Sequence, residues 1–136
     1  MTPTFSHGKS GVFKIADSGS TVRDISSVVK TSGLKRAADT AETSAMGSSS
    51  KSYIPGLLDG TITLDGYLDT TTAGYLMGVL GLVTTFQYYP SGTAAGNIEL
   101  SGSCIVNDAE ITSDVGAVVT IKGTAQVTGA VVVTNL

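Results

Sequence analysis

The sequence is poor in the residues that do chemistry. Its 136 residues include one cysteine, Cys104, and one histidine, His7. A single cysteine excludes an intrachain disulfide framework and any multi-cysteine metal site. A histidine in the N-terminal segment, with no nucleophile motif beside it, gives no triad to recognise. No GxSxG, Walker A, GxGxxG or HExxH occurs. Charged residues make up 14% of the chain, against about 25% in an ordinary domain, which argues against a solvated disordered chain. Three prolines and no G-X-Y period exclude collagen-like material. The net charge of −3 leaves no basic cluster to grip nucleic acid. The longest apolar run, Tyr75 to Val83, is about half of what a membrane span requires. Met1 to Lys9 has no apolar core, so the expectation is no secretory leader and folding in a cytosol.

What is plentiful is Thr, Ser, Val and Gly, arranged with period two. From Gly60 to Asp69, Ile62, Leu64 and Leu68 face one way, opposite Thr61, Thr63, Asp65 and Asp69. Ile98, Leu100, Cys104 and Val106 repeat the pattern, as do Val119, Ile121, Ala125 and Val127. These are half-buried antiparallel strands with one wet face. Asn107-Asp108 breaks the second alternation, which predicts a bulge or turn. Val131 to Val133 reads as a separate final strand. Gly11–Ile15 and Thr21–Ile25 flank Asp17-Ser-Gly-Ser20, a hairpin signal. One helix is predicted after Asp69 or Thr70 as cap, with Tyr75, Leu76, Val79 and Leu80 as its apolar stripe. Its Gly74 and Gly78 read as small residues that let it sit close to a sheet. Pro90 to Gly96 is a turn between strands.

Several single residues take plain structural readings. His7 reads as a solvated tail residue and Cys104 as a buried, inert thiol. Lys35-Arg36 reads as an edge-guarding pair. Asp59 and Asp65, each followed by glycine, read as two strand-end turns without the further oxygens of a calcium loop. Tyr88-Tyr89, beside Pro90, reads as packing at a strand end.

The segment Ala37 to Ser52 has no period of either kind. It is Ala-, Ser- and Thr-rich, with Glu42, Met46, Gly47 and Lys51 among few other residue types. Such a segment cannot bury enough surface to order alone, so it reads as a mobile polar arm that orders on a neighbour. Tyr53-Ile54-Pro55-Gly56-Leu57 after it is a stiff apolar re-entry that anchors the arm.

The stretch Glu42-Thr-Ser-Ala-Met-Gly47 followed by Lys51-Ser-Tyr-Ile-Pro-Gly-Leu-Leu-Asp-Gly-Thr-Ile-Thr-Leu-Asp-Gly-Tyr-Leu-Asp69 resembles the tail tube (major tail) proteins of long-tailed bacteriophages. Shared are the acid-Thr strand end, the arm and the "IPGL-x-DG" entry into a Thr/Leu strand. The N-terminal hairpin with Asp24-Ile25-Ser26 and the later helix and hairpins fit the same layout. An appended immunoglobulin-like domain, carried by many such proteins, is not seen. The resemblance implies one domain over residues 1–136, an antiparallel β-sandwich or barrel with one flanking α-helix and the arm at 37–52. It also implies a non-enzymatic virion protein without cofactor or metal, assembled in the host bacterial cytoplasm as stacked, hexameric rings. Its partners are then copies of itself and other tail proteins such as a tape measure and a tail terminator, with non-specific passage of DNA without tight binding and no membrane contact. Six copies carry about −18, and an acidic lumen repels phosphate. Asp65, Asp69, Glu99 and Glu110, on polar strand faces, are the candidate lumen acids; an outer solvated surface fits them equally. The alternatives are the inner tube of a contractile device, a capsid decoration protein, or a carbohydrate-binding β-module. The last is disfavoured by few aromatics.

Overall fold

Why the strands form where they do is best seen from the computed structural model, which describes Phe5 and residues 7–136. After a short 3-10 turn, Gly8–Ser10, come β1 (Val12–Ala16), β2 (Val22–Asp24), β3 (Val29–Glu42), β4 (Tyr53–Tyr67), α1 (Thr70–Gly78), β5 (Val83–Tyr89), β6 (Ile98–Thr112) and β7 (Thr120–Asn135). All seven strands join one antiparallel sheet in the order β2-β1-β5-β6-β7-β4-β3.

The sheet curls on itself. The Tyr88 hydroxyl on β5 donates to the Ser32 carbonyl of β3 at 3.3 Å, although those strands lie four places apart in the order. The sandwich-or-barrel expectation thus takes its barrel-like form, open between β1 and β3. There a cleft of about 510 Å³ is lined by Phe13, Ser26, Val29 and Tyr88 among others. Inside the curl, Phe13, Ile15, Ile62, Leu64, Phe86, Cys104, Val106, Ile121, Ala125 and Val127 form one core. The alternating residues read from the sequence supply most of it. Leu76 of α1 and Val79 just after it plug the interior, while Leu80 stays half exposed. The capping expectation for Asp69 or Thr70 involves the Thr70 side chain, which lies outside the described residues.

Two local devices bring the chain around this core. Asp17 builds the first hairpin: one carboxylate oxygen accepts from the Gly19 and Thr21 amides, the other from Arg23 Nε at 2.9 Å. Asp24-Ile25-Ser26 then turns the chain from β2 towards β3. The Asp24 carboxylate accepts from the Ser26 amide and hydroxyl, the Ser26 oxygen accepts from the Phe13 amide, and Ile25 points into the core. The polar side chains of the turn pair with nearby backbone, while of its three residues only Ile25 is buried.

Sheet irregularities also have causes. The register of β6 on β7 shifts between Val106 and Asp108, where the broken alternation predicts it. The Val106 carbonyl there accepts from the Gly81 amide at 2.8 Å, tying the end of the helical segment to the bulge. A second irregularity lies opposite Ser101 to Ser103, where Gly129 adopts φ +82°. Val131 to Val133 are therefore the continuation of β7 past a bulge and not a separate strand. Asp59-Gly60 and Asp65-Gly66 are likewise not strand-end turns; both lie within β4. A Cβ at Gly66 would come 2.3 Å from the Val28 carbonyl oxygen, so glycine is required by the returning chain. Gly74 corrects another reading: a Cβ there meets nothing within 4 Å, so it is not a close-packing residue.

These two glycines give opposite expectations. Gly66→Ala forces backbone apart and should cost about 2–3 kcal/mol in urea unfolding, as overpacked sites do. Gly74→Ala, in an open stretch of helix, should add up to ~1 kcal/mol. A neutral Gly66→Ala would show that the β3 entry does not press on β4.

Candidate assembly surfaces

The segment expected to be a structureless arm is largely a β-hairpin. Ala37 to Glu42 pair with Tyr53 to Asp59, ending at Glu42↔Tyr53, and only residues 43–52 form a loop. The correction has a simple origin. Both faces of this ribbon are wet, so its sequence carries no alternation although its backbone is extended. A slip in register between Ala38↔Leu58 and Thr40↔Pro55 puts an extra residue on β4 near Gly56 and bends the ribbon. At its base β4 parts from β7 beyond Thr61↔Gln126. The Gln126 amide spans that fork, donating to the Asp59 carboxylate and to the Gly60 carbonyl.

The loop is held by hydroxyls. The Thr43 amide donates to the Ser52 carbonyl, the Ser52 amide donates to Ser44 Oγ, and Ser48 Oγ accepts from the Ala45 amide. The Ser/Thr richness of the segment thus serves its own backbone. What the arm does not satisfy is its apolar surface. Tyr53, Ile54, Leu57 and Leu58 are more than half exposed, and Met46 at the tip is fully exposed. Glu42, Gly47, Pro55, Gly56 and Lys51 are exposed as well, as is Ala37 at the ribbon's base. The sequence reading placed these residues on an arm and its anchor; the structure makes the anchor the arm's own return strand.

Three further surfaces are unsatisfied. Strand β3 ends the sheet, so its outer edge pairs with no strand among the described residues. Lys35 and Arg36 are exposed along it. A second apolar patch follows α1, where Met77, Leu80, Leu82 and Val83 are exposed. Sequence reasoning assigned Leu80 to the core stripe and read Leu82 and Val83 only as part of the apolar run Tyr75 to Val83, not as an exposed patch. At the far end of β6 and β7, Ile111, Val115 and Val118 are exposed around the connecting loop.

The candidate lumen acids fall into separate places. Asp65 and Glu110 flank Lys122 in one cross-strand row, Thr31↔Asp65↔Lys122↔Glu110, on the outward face. Asp69 follows β4 before α1, and Glu99 lies at the other end of the sheet near Tyr89. Burial first, and the Glu99 charge second, hold the Tyr89 hydroxyl above its ordinary pKa. Asp59 and Asp108 share the outward face and were not among the candidates.

The remaining polar residues keep their plain readings. The side chain of His7 accepts from the Lys9 amide at the start of the 3-10 turn, and it is exposed. Among the described residues no three His, Cys, Asp or Glu are grouped to hold a metal ion, and no helix is long and apolar enough to cross a membrane. Cys104 is fully buried, and burial pushes its thiol up to about 11. It should therefore resist a thiol reagent at pH 8 in native protein and react once unfolded. Rapid labelling of folded protein would contradict that burial.

No protein-family model and no curated protein matches the chain. Solved structures do. A chain in the tail of an empty gene transfer agent particle, a helical assembly of C6 symmetry, aligns over 96% of this chain and 99% of its own, with a TM-score of 0.79 at 15% identity. The SPP1 tail tube covers 96% of this chain and 80% of its own, with a TM-score of 0.76 at 13% identity. A chain of the anti-feeding prophage baseplate covers 99% and 97%, with a TM-score of 0.70 at 10% identity. The chain therefore shares the overall fold of these tail-assembly chains over nearly its whole length.

Proposed function

We propose that this protein is the subunit of a hollow phage-type tail tube, built from rings that stack along an axis. The observation that carries the reading is the arm: a two-stranded ribbon with four large apolar side chains turned to water. An isolated hairpin is marginal at best. Fully burying a Leu or Ile is worth roughly 1.5–3 kcal/mol, so covering the arm with another subunit supplies a large association term. A free edge strand and an apolar patch beside α1 add lateral contacts. Around a ring such contacts are heterologous and closed; along the axis they are heterologous and open.

The tail structures of similar fold support this reading, including the C6 symmetry of one of them. Hexameric rings, a tape measure and a terminator as further partners, assembly in the host cytoplasm and residence in the virion tail all belong to the same proposal. The likeness to a baseplate chain as well leaves the fold compatible with contractile and non-contractile tails. DNA passage needs a surface that does not hold phosphate. On the outward face of β3, β4, β6 and β7, Asp59, Asp65, Asp108 and Glu110 outnumber Lys35 and Lys122. That balance suits a lumen lining, although Lys122 offsets part of the Asp65 and Glu110 charge. A glycan-binding module has less support: the exposed tyrosines Tyr53 and Tyr67 stand at opposite ends of β4, not on one platform.

Purified protein should form rings or tubes in negative-stain microscopy as concentration rises. Removing Gly47 to Ser50 should leave the circular dichroism spectrum unchanged and shorten polymers at least tenfold. Protein that stays monomeric at high concentration, with no tubes in a phage lysate, would overturn the reading.

A further inference from the structure

An open, head-to-tail stack needs two different surfaces on one chain, one to reach and one to receive. The arm supplies the first. The sheet register identifies where the second must lie. Tyr53, at one end of β4, pairs with Glu42 and borders the arm loop 43–52. Tyr67, at the other end, pairs with Thr120, which pairs in turn with Thr112, bordering the loop 113–119. The Leu68 amide also donates to the Val119 carbonyl at 2.9 Å, so that end of β4 abuts this loop. A 15-residue strand separates the two loops, about 46 Å at the usual rise.

The loops differ in composition but share two features, with charges of opposite sign. Each holds one large apolar side chain fully exposed: Met46 in the arm loop and Val115 in the distal loop. Each holds one charged residue: Lys51 in the first and Asp114 in the second. Around the distal loop Ile111 and Val118 are also exposed, 44% and 66%. An exposed Val at a loop tip between two further apolar side chains is unfavourable in a free subunit and expected in an interface core.

We infer that the β6–β7 loop, residues 113–119, is the receiving surface for the arm loop of a second copy in the adjacent ring, with Lys51 of one copy set against Asp114 of the other. The inference rests on the tube reading and names its axial contact. Met46 packs against the apolar collar of Ile111, Val115 and Val118, and the charge pair fixes register at its edge. Contact at the rim in this way contributes more to specificity than to affinity.

The test is a charge exchange in the full-length protein, read by sedimentation and negative stain. Lys51→Asp and Asp114→Lys should each reduce polymer mass at least tenfold at a concentration where the parent protein forms tubes. Combining them should restore at least half of it. Independently, Met46→Cys with Val115→Cys should give, on mild oxidation, a covalent ladder running well past the ring number, while either single variant stops at dimers. The buried Cys104 does not compete, because it lies inside the core. If tubes form but the single charge variants polymerise as the parent does, or if no ladder appears, the loop is not the receiver although the tube reading stands. If the parent forms no tubes at all, both fall together.

Discussion

Backbone hydrogen bonds run further along this sheet than its core does. The β3–β4 ladder extends from Val29↔Gly66 to Glu42↔Tyr53, yet on β4 the buried side begins only at Gly60. The β6–β7 ladder extends to Ile98↔Asn135, yet beyond Val127 the residues of β7 are mostly exposed. The ladder satisfies the amides and carbonyls of these overhangs, so they persist as strands. It cannot bury their side chains. Two-stranded ribbon without a dry face is weak in isolation, and the excess of Tyr, Ile, Leu and Val along it makes the free subunit an incomplete structure. The low charge of the chain fits the proposed tube, in which a surface mostly covered by other copies would have little use for charged groups, since interface cores exclude them.

Within the core, closure depends on a few residues that join elements far apart in sequence. Leu76 of α1 and Val79 just after it fill the curl, the Val106 bulge gives its carbonyl to Gly81, and Ser26 pairs the Phe13 amide while Ile25 seals the interior. Thr84, buried on β5, donates its hydroxyl to the Ala16 carbonyl at 2.7 Å and so ties the end of β1 to the sheet. Among the described residues no buried side-chain nitrogen or oxygen lacks a partner. A compact, satisfied core supporting long ribbons concentrates rigidity where the chain needs a scaffold. Its exposed apolar side chains are concentrated instead on the ribbons and end loops.

The legible part of this architecture was the part with one dry face. Alternation around Ile62 and Leu64, around Cys104 and Val106, and from Ile121 to Val127 marked strands because burial selects residues two apart. The Asn107-Asp108 break marked a bulge for the same reason. The arm strands carried no such mark, since Ala37 to Glu42 face water on both sides and their composition answers to no period. Val131 to Val133 looked separate because Gly129 interrupts the phase, whereas the hydrogen-bond ladder resumes beyond it. Only the IPGL-x-DG stretch, through resemblance, tied the arm to its return. The cross-strand row around Lys122 and the apolar loop at Val115 were invisible for a different reason. They depend on which strands are neighbours, and topology is not written in any one segment.

The placement of Lys35 and Arg36 bears on which assemblies this subunit avoids. They sit at the midpoint of β3, whose span is Val29–Glu42, on the free edge of the sheet. If two copies paired these edges antiparallel about a two-fold axis, in the register that uses the whole strand, Lys35 of one would face Arg36 of the other twice. Like charges directly opposite across a ladder are destabilising, and edge lysines are a common guard against such pairing. A heterologous contact escapes this penalty, because the edge then meets a different strand with its own sequence. The doublet therefore disfavours closed two-fold dimers, which would consume the longest free edge and end growth. It leaves available the head-to-tail contacts from which rings and filaments are made.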